Sequence, residues 1–222
     1  MANQSDDGIT AELLLQTYCC GAFPMAESKD DPQLFWLQPE MRGVLPLDQF
    51  HFSKSLKKQI RQGRYKATYD TCFSRIMEEC AAYAANREST WINQTILDLY
   101  QQLHEMGHAH SVEIWMDGAL AGGLYGVHIG GAFFGESMFH RKTNASKIAL
   151  AHLVASLVKS NFKLLDTQFI NDHLTQFGIV EIPRNEYMLM LNDAIQLKRP
   201  FKFAYSGSGT EDSVLQLITQ TS

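Results

Sequence analysis

The 222-residue chain holds only four cysteines, and none of them is spaced C-x-x-C. Cys19 and Cys20 are adjacent, which suits a disulfide badly, and Cys72 and Cys80 complete no metal-ligand pattern. Free thiols in a reducing compartment are the simplest account. No apolar run approaches the roughly 18 residues of a membrane-spanning helix. The first seven residues, Met-Ala-Asn-Gln-Ser-Asp-Asp, lack the basic and apolar regions of a signal peptide, so a cytoplasmic protein without membrane association is expected. No internal repeat is visible. With 45% hydrophobic and 19% charged residues, the composition is that of a globular protein with one or two domains and a sizeable core.

Acidic residues are absent from one stretch of a chain whose net charge is −5. Between Gln49 and Tyr69 stand Lys54, Lys57, Lys58, Arg61, Arg64 and Lys66, with His51. Residues 53–61 form a short helix with its cations mostly outward. Such a run is either a solvated helix face or a phosphate-binding patch with salt-dependent affinity for a nucleic acid.

The chain is organised around the stretch from His110 to Gln168. Asp117-Gly118, set between Val112-Glu113-Ile114-Trp115 and Ala119-Leu120-Ala121, predicts a hairpin in which both turn residues take positive φ. Gly130-Gly131 predicts a second turn and a third strand through Phe139, completing an antiparallel meander. Gly122, Gly123 and Gly126 weaken the middle strand, which implies a bulge or the close approach of a backbone or ligand. Period two places Phe134, Glu136 and Met138 on one face. A carboxylate among apolar groups needs a partner: a lysine, solvent or a ligand. Residues 144–159 then read as a helix with Asn144 as N-cap, followed by a strand through Leu164, Asp166 and Gln168 that returns parallel by a right-handed crossover. Asp166 and Gln168 thus fall at a strand's carboxyl end, where open α/β sheets bind ligands.

In chain order, residues 10–20 predict a helix capped by Thr10 and stopped at Gly21. Residues 34–37 and 43–46 are short extended pieces. A strand over 65–69 and a helix over 71–85 follow, with Phe73, Ile76, Met77 and Cys80 inward. A further helix over 96–106 is capped by Asn93 or Thr95 and stopped at Gly107. Residues 172–177 predict a short helix and 184–197 an amphipathic one opened by Pro183. The tail from Ala204 is linker-like, although residues 214–218 could add a turn. A small module therefore occupies 1–63, a second domain 64–203, and a tail 204–222.

His104-Glu105-Met106-Gly107-His108 matches H-E-x-x-H, the zinc-protease pattern. Its second histidine lies beyond a helix-ending glycine, and Ser111 and Ile114 stand where the longer metzincin pattern needs glycine and histidine. A metal site is therefore disfavoured. His110 and His173 could act as acid or base, but neither pairs with a nucleophilic serine or cysteine at a telling spacing.

Several short segments together resemble the bacterial leucyl/phenylalanyl-tRNA–protein transferases. They are Gly21-Ala-Phe-Pro-Met25, Ser89-Thr-Trp-Ile92, residues 103–113, Gly122-Gly-Leu-Tyr-Gly126, Phe134-Gly-Glu-Ser-Met-Phe139, Ala145-Ser-Lys147, Leu165-Asp-Thr-Gln-Phe169, Asn171-Asp-His173 and Glu181-Ile-Pro-Arg184. The likeness runs from about residue 10 to 203. It implies a mixed α/β fold with a catalytic domain similar to acetyltransferases of the GNAT type. It also implies an enzyme that moves leucine or phenylalanine, less readily methionine, from charged tRNA to the N-terminal Lys or Arg of a protein, making a degradation signal. The partners implied are aminoacyl-tRNA and that acceptor protein, and no cofactor is needed, because the ester is already activated.

By the same resemblance Lys54, Lys57, Lys58, Arg61 and Arg64 meet the acceptor stem. Leu124, Phe133, Met138 and Leu157 line the aminoacyl pocket, Glu136 binds the aminoacyl-adenosine end and Trp91 lines the adenosine site. Asp166 and Gln168 match the family's proposed catalytic pair. A neutral amide is a poor base, so positioning, with proton transfer through the ribose hydroxyl or water, is the preferred reading. Asn171 and Asp172 are expected to help receive the cationic acceptor side chain. The chain departs from the family at Met25, where many members carry an adenosine-stacking tryptophan; Trp36 is a substitute. The N-terminal module is also expected to be shorter than in many relatives. Two other readings are a tRNA-binding relative without activity and a GNAT-type acyltransferase using acyl-coenzyme A. The second would want a glycine-rich pyrophosphate turn, where this chain has Arg141-Lys-Thr-Asn-Ala-Ser146.

Overall fold

Thr10 opens the first helix as its position predicts: its hydroxyl accepts from Leu13 N at 3.2 Å. The computed structural model of the protein describes residues 8–82, 90–170, 175–198, 201, 203, 214 and 216. Helix α1 (Ala11–Cys19) leads through Gly21, at φ +76°, into strands β1 (Phe23–Met25) and β2 (Phe35–Leu37), which form a two-stranded sheet of their own among the described residues. Strand β3 (Met41–Val44) follows, then helix α2 (Lys54–Gln62), capped by the Ser53 hydroxyl and closed by Gly63 in the left-handed region. Strand β4 (Lys66–Tyr69) and helices α3 (Phe73–Ala81) and α4 (Gln94–Glu105) come next, with the Asn93 side chain accepting from Ile96 N at 2.8 Å to cap α4. The meander is β5 (Ala109–Met116), β6 (Ala119–Ile129) and β7 (Ala132–His140). Helix α5 (Ala145–Lys159), strands β8 (Leu164–Gln168) and β9 (Val180–Pro183), and helix α6 (Arg184–Ile195) complete the order.

Asp117 and Gly118 take φ of 54° and 75°, so the first hairpin forms where its turn chemistry demands. Seven strands make one sheet in the order β4-β5-β6-β7-β8-β3-β9. Every pairing in it is antiparallel except β7 with β8, the parallel pair that the intervening helix predicts. The result is a mixed α/β fold. Strand β3 lies between β8 and β9, so residues before the basic helix are built into the same sheet as the meander.

Alternation along the strands feeds two cores. Leu124, Phe133 and Leu165 pack under α5 and α2, with Leu56, Ile60, Ile148, Leu153 and Leu157. Tyr125, Phe134 and Leu164 pack under α1, α3, α4 and α6, with Leu14, Ile76, Leu99 and Leu191. Each fully buried leucine, isoleucine or phenylalanine contributes about 1.5–3 kcal/mol. Val214, in the tail expected to be loose, is fully buried against the α5 core.

The expected shared face of Phe134, Glu136 and Met138 is not formed. Tyr125 pairs with Ser137 and Gly126 with Gly135, leaving Glu136 as the extra residue of a bulge. The alternation flips there, so Met138 turns to the α5 core while Phe134 and Phe139 face the other. Gly126 sits opposite the bulge, and a Cβ there would lie 2.2 Å from the Phe134 carbonyl oxygen. The glycine thus answers a close approach of protein backbone, not of a ligand. Asn144 begins α5 as expected, but at φ +66° and without capping through its side chain. Its amide donates to Gln59 Oε1 at 2.9 Å instead, tying α5 to α2. The helix expected over 172–177 falls partly outside the described residues, as does most of the tail.

Candidate active site

Strands β7 and β8 stay paired only through Ala132–Leu164, Phe133–Leu165 and Phe134–Asp166. Beyond Phe134, β7 bulges at Glu136, while β8 ends on Gln168 in the left-handed region, at φ +62°. The strands part, and a cavity of about 520 Å³ fills the fork at their carboxyl ends, the position at which open sheets leave a ligand crevice. On the α5 side its wall is apolar: Leu124, Met138, Leu150, Leu153 and Leu165. On the other side stand Cys80, Trp91, Tyr125 and Phe139, with Glu136, Thr167 and Gln168 between.

Asp166 holds the inner end of this fork and does not line the cavity. Arg42 on β3 donates through Nε to both carboxylate oxygens, at 2.9 and 3.1 Å, and through Nη2 to Oδ2 at 2.6 Å. Tyr187 OH donates to Oδ2 at 2.7 Å and the Gln168 backbone N–H to Oδ1 at 2.7 Å. The guanidinium also donates to the Gly21 carbonyl at 2.9 Å and lies 4.6 Å from the ring centres of Phe23 and Tyr187. Burial opposes the Arg42 charge, but the Asp166 carboxylate overrides it and raises the pKa. The resemblance pairs Asp166 with Gln168; the contact made is to the Gln168 main chain, not to its side-chain amide. That bond and the ladder around it hold a left-handed conformation that costs a non-glycine residue of order 1–3 kcal/mol.

Three residues that line the cavity each carry a buried polar atom without a hydrogen-bond partner, Gln168 Nε2, Thr167 Oγ1 and Tyr125 OH, of which Thr167 Oγ1 lies against Gly43 on β3. A buried group left unsatisfied costs about 1–3 kcal/mol, so Gln168 and Tyr125, beside the cavity, are the side chains that a polar ligand there would relieve.

Glu136 meets phenols where the sequence allowed a lysine. Tyr18 OH donates to Oε1 at 2.7 Å and Tyr100 OH to Oε2 at 3.1 Å, and the two phenols touch each other. Among the described residues no cation pairs with it. Burial pushes the Glu136 carboxyl up to about 7, while Tyr18, Gln168 and Tyr100 act the other way. Gln168 stands near enough to favour the ionised form, although its Nε2 completes no hydrogen bond of ordinary geometry. Burial first, and then the Glu136 charge, raise the pKa of Tyr18, Tyr100 and Tyr125, so all three stay protonated.

Of the residues expected at the site, Glu136, Gln168, Trp91, Leu124 and Met138 share the cavity. Phe133 and Leu157 do not reach it; both are fully buried in the core behind. Met25 and Trp36 lie on the separate β1–β2 pair and do not line it either. Lys54, Lys58, Arg61 and Arg64 are exposed and Lys57 half-buried, on or just after a helix whose Leu56 and Ile60 share the core of the apolar cavity wall. His104 and His108 of the H-E-x-x-H match go separate ways: His104 Nδ1 bonds the Ala109 carbonyl at 2.8 Å, and His108 Nδ1 the His128 carbonyl at 3.2 Å. His110 bridges Asp70 and His128 and meets no nucleophile. Ser89, Asn171, Asp172 and His173 lie outside the described residues.

Sequence reasoning missed Arg42, Tyr187, Tyr18 and Tyr100. Arg42 left a faint signal, as an arginine in a short extended segment beside a glycine. The tyrosines left none, because each occupies an ordinary inward helix position.

Comparison with known proteins matches residues 44–192 to the family described as leucyl/phenylalanyl-tRNA protein transferase and residues 7–40 to the N-terminal domain of the same family. Proteins named leucyl/phenylalanyl-tRNA–protein transferase are similar over most of the chain. The one from Afipia carboxidovorans is 55% identical over 87% of this chain and 85% of its own. One from Rhodopseudomonas palustris is 50% identical over 96% and 95%. A solved structure described as L-PGS from Bacillus licheniformis matches with a TM-score of 0.43 and 10% identity, over 70% of this chain and 65% of that one. That likeness is too loose to carry an argument.

Proposed function

The chain belongs to the leucyl/phenylalanyl-tRNA–protein transferases, a family of aminoacyl-transferring enzymes, and from that premise we propose that it transfers leucine or phenylalanine, less readily methionine, from charged tRNA to the N-terminal Lys or Arg of a protein. The observation that carries the reading is the cavity itself: a leucine-lined wall faces the unpartnered Gln168 amide and the Glu136 carboxyl. One wall suits an aminoacyl side chain and the other an ester with its ribose.

Aminolysis of an activated ester needs the α-amine and carbonyl held together, and a proton removed. In this proposal Leu124, Met138, Leu150, Leu153 and Leu165 take the aminoacyl side chain, and Trp91 and Glu136 the aminoacyl-adenosine end. Gln168, locked by Asp166 and Arg42, aligns the carbonyl. Lys54, Lys57, Lys58, Arg61 and Arg64 meet the acceptor stem. Where relatives stack a tryptophan, Met25 packs without an aromatic face, and Trp91 then carries the adenosine contact. No cofactor enters the step.

The acetyltransferase-like description of the fold is part of the same proposal, supported by the order meander, helix, parallel strand. So is the division into a 1–63 module, a 64–203 transfer domain and a tail from 204, and so is a cytoplasmic location, where charged tRNA is found. Labelled leucine and phenylalanine on tRNA, offered with peptides beginning Lys, Arg, Asp or Ala, test it. Transfer to the Lys and Arg peptides alone is expected. Binding of tRNA with transfer to none indicates an inactive RNA-binding relative, and acylation from acyl-coenzyme A instead indicates the other acyltransferase class.

A further inference from the structure

We propose that Glu136 is the group that accepts the proton from the attacking α-amine and delivers it to the departing ribose oxygen, while Gln168 holds the reacting carbonyl. The assignment rests on the transfer reading above and adds the proton's route, which that reading leaves to the ribose hydroxyl or to water.

Asp166 cannot take the proton. It is wholly buried, paired with the Arg42 guanidinium, and its oxygens also accept from Tyr187 OH and Gln168 N–H. Gln168 is no better suited. The atom it leaves unpartnered is Nε2, a donor, which fits the carbonyl oxygen on which negative charge develops rather than a proton on nitrogen. The Asp-x-Gln pair is thus an anchor and an oxyanion donor, and the cavity still needs a base.

Glu136 meets that need by its geometry. The bulge carries it into the cavity wall beside Gln168, and no cation among the described residues forms an ion pair with it. Each of its oxygens accepts one phenol, from Tyr18 on α1 and Tyr100 on α4, leaving a lone pair on each. Tyr125 on β6, Asp166 on β8 and Arg42 on β3 also act on it electrostatically. A carboxyl that titrates near 7 lies close to the roughly 7.7–8.0 of an α-amine, so the proton moves between nearly matched groups. The step balances. The acceptor's ammonium first loses one proton to solvent. The free amine then attacks the ester carbon, forming the C–N bond, and its remaining extra proton passes to Glu136. The C–O bond to ribose breaks, that oxygen takes the proton from Glu136, and the carboxylate is regenerated.

Single-turnover transfer of leucine to a Lys-initiated peptide, at saturating charged tRNA from pH 5.5 to 8.5, tests the assignment in wild type, Glu136→Gln and Tyr18→Phe. Glu136→Gln is expected to lose about 100-fold or more in rate at saturating charged tRNA, beyond any change in its affinity for that tRNA. Tyr18→Phe removes a hydrogen bond that favours the ionised carboxyl, so the enzyme's inflection should move to higher pH while the peptide amine's own titration stays put. A Glu136→Gln rate within threefold of wild type overturns the assignment. So does weakened tRNA binding with an unchanged rate at saturation, or an inflection that Tyr18→Phe leaves in place. A wild type inactive on every peptide overturns the transfer reading itself.

Discussion

Arg42 and Asp166 meet at 2.6 Å, with side chains 2% and 0% exposed, across the neighbouring strands β3 and β8. Removing one partner leaves the other charged and buried. Arg42→Met should therefore lower the free energy of unfolding by about 3–5 kcal/mol, and the double change Arg42→Met with Asp166→Leu should recover part of that loss. Urea unfolding of the three proteins measures both. Transfer should fail in the double variant even where stability returns, because Gln168 loses the carboxylate that fixes its backbone. A double variant as active as wild type would contradict that role.

The apolar wall sets the choice of amino acid. Leu153 is 1% exposed and lines the cavity beside Leu150 and Leu165. Leu153→Phe narrows it, so kcat/KM for phenylalanine should fall about tenfold more than that for leucine, the usual scale for a steric change in an apolar pocket. Equal losses for both would place the side chain elsewhere.

The exposed cations of α2 act by charge. Replacing Lys54, Lys58 and Arg61 by glutamine should weaken tRNA binding and flatten its dependence on salt, by about one in the log–log slope for each phosphate no longer neutralised. Filter binding between low and moderate salt reads the slope. An unchanged slope would leave α2 a solvated face.

Stability should fall on the acid side of neutrality. His152 is fully buried between Tyr65 OH, at 3.0 Å, and Tyr69 OH, at 2.9 Å, and burial pushes its pKa down to about 4. The unfolded chain, with an imidazole near 6.5, binds a proton that the fold refuses. The contribution is complete above about pH 6.5 and is lost as pH falls toward 4, by roughly 3 kcal/mol. Urea unfolding at pH 7 and pH 4.5 should show a smaller drop in His152→Gln than in wild type.

Local chemistry made much of this legible. Asp117-Gly118 fixed a hairpin because few other pairs accept two positive φ values, and Thr10 and Asn93 marked helix starts because their side chains satisfy orphan N–H groups. Gln168 stood out as a polar residue at a strand's end, and Glu136 as a carboxylate among apolar neighbours within a strand. What stayed hidden depends on contacts between distant segments. Residue spacing carries no record that Met41–Val44 would lie beside β8, so the partner of Asp166 was invisible. Period two holds only in an unbroken strand, and the bulge at Glu136 moved Met138 to the opposite face. Phe133 and Leu157 matched pocket positions by resemblance, yet they sit one layer behind the wall.

The most direct test is the single-turnover rate of leucyl transfer to an Arg-initiated peptide in Gln168→Ala beside wild type, with charged-tRNA affinity measured in parallel. If the fork between β7 and β8 is where the bond forms, the rate should fall about 100- to 1,000-fold, the usual loss of an oxyanion donor, while tRNA binding persists. A Gln168→Ala enzyme that transfers leucine at the wild-type rate would contradict the placement of the reaction in this fork.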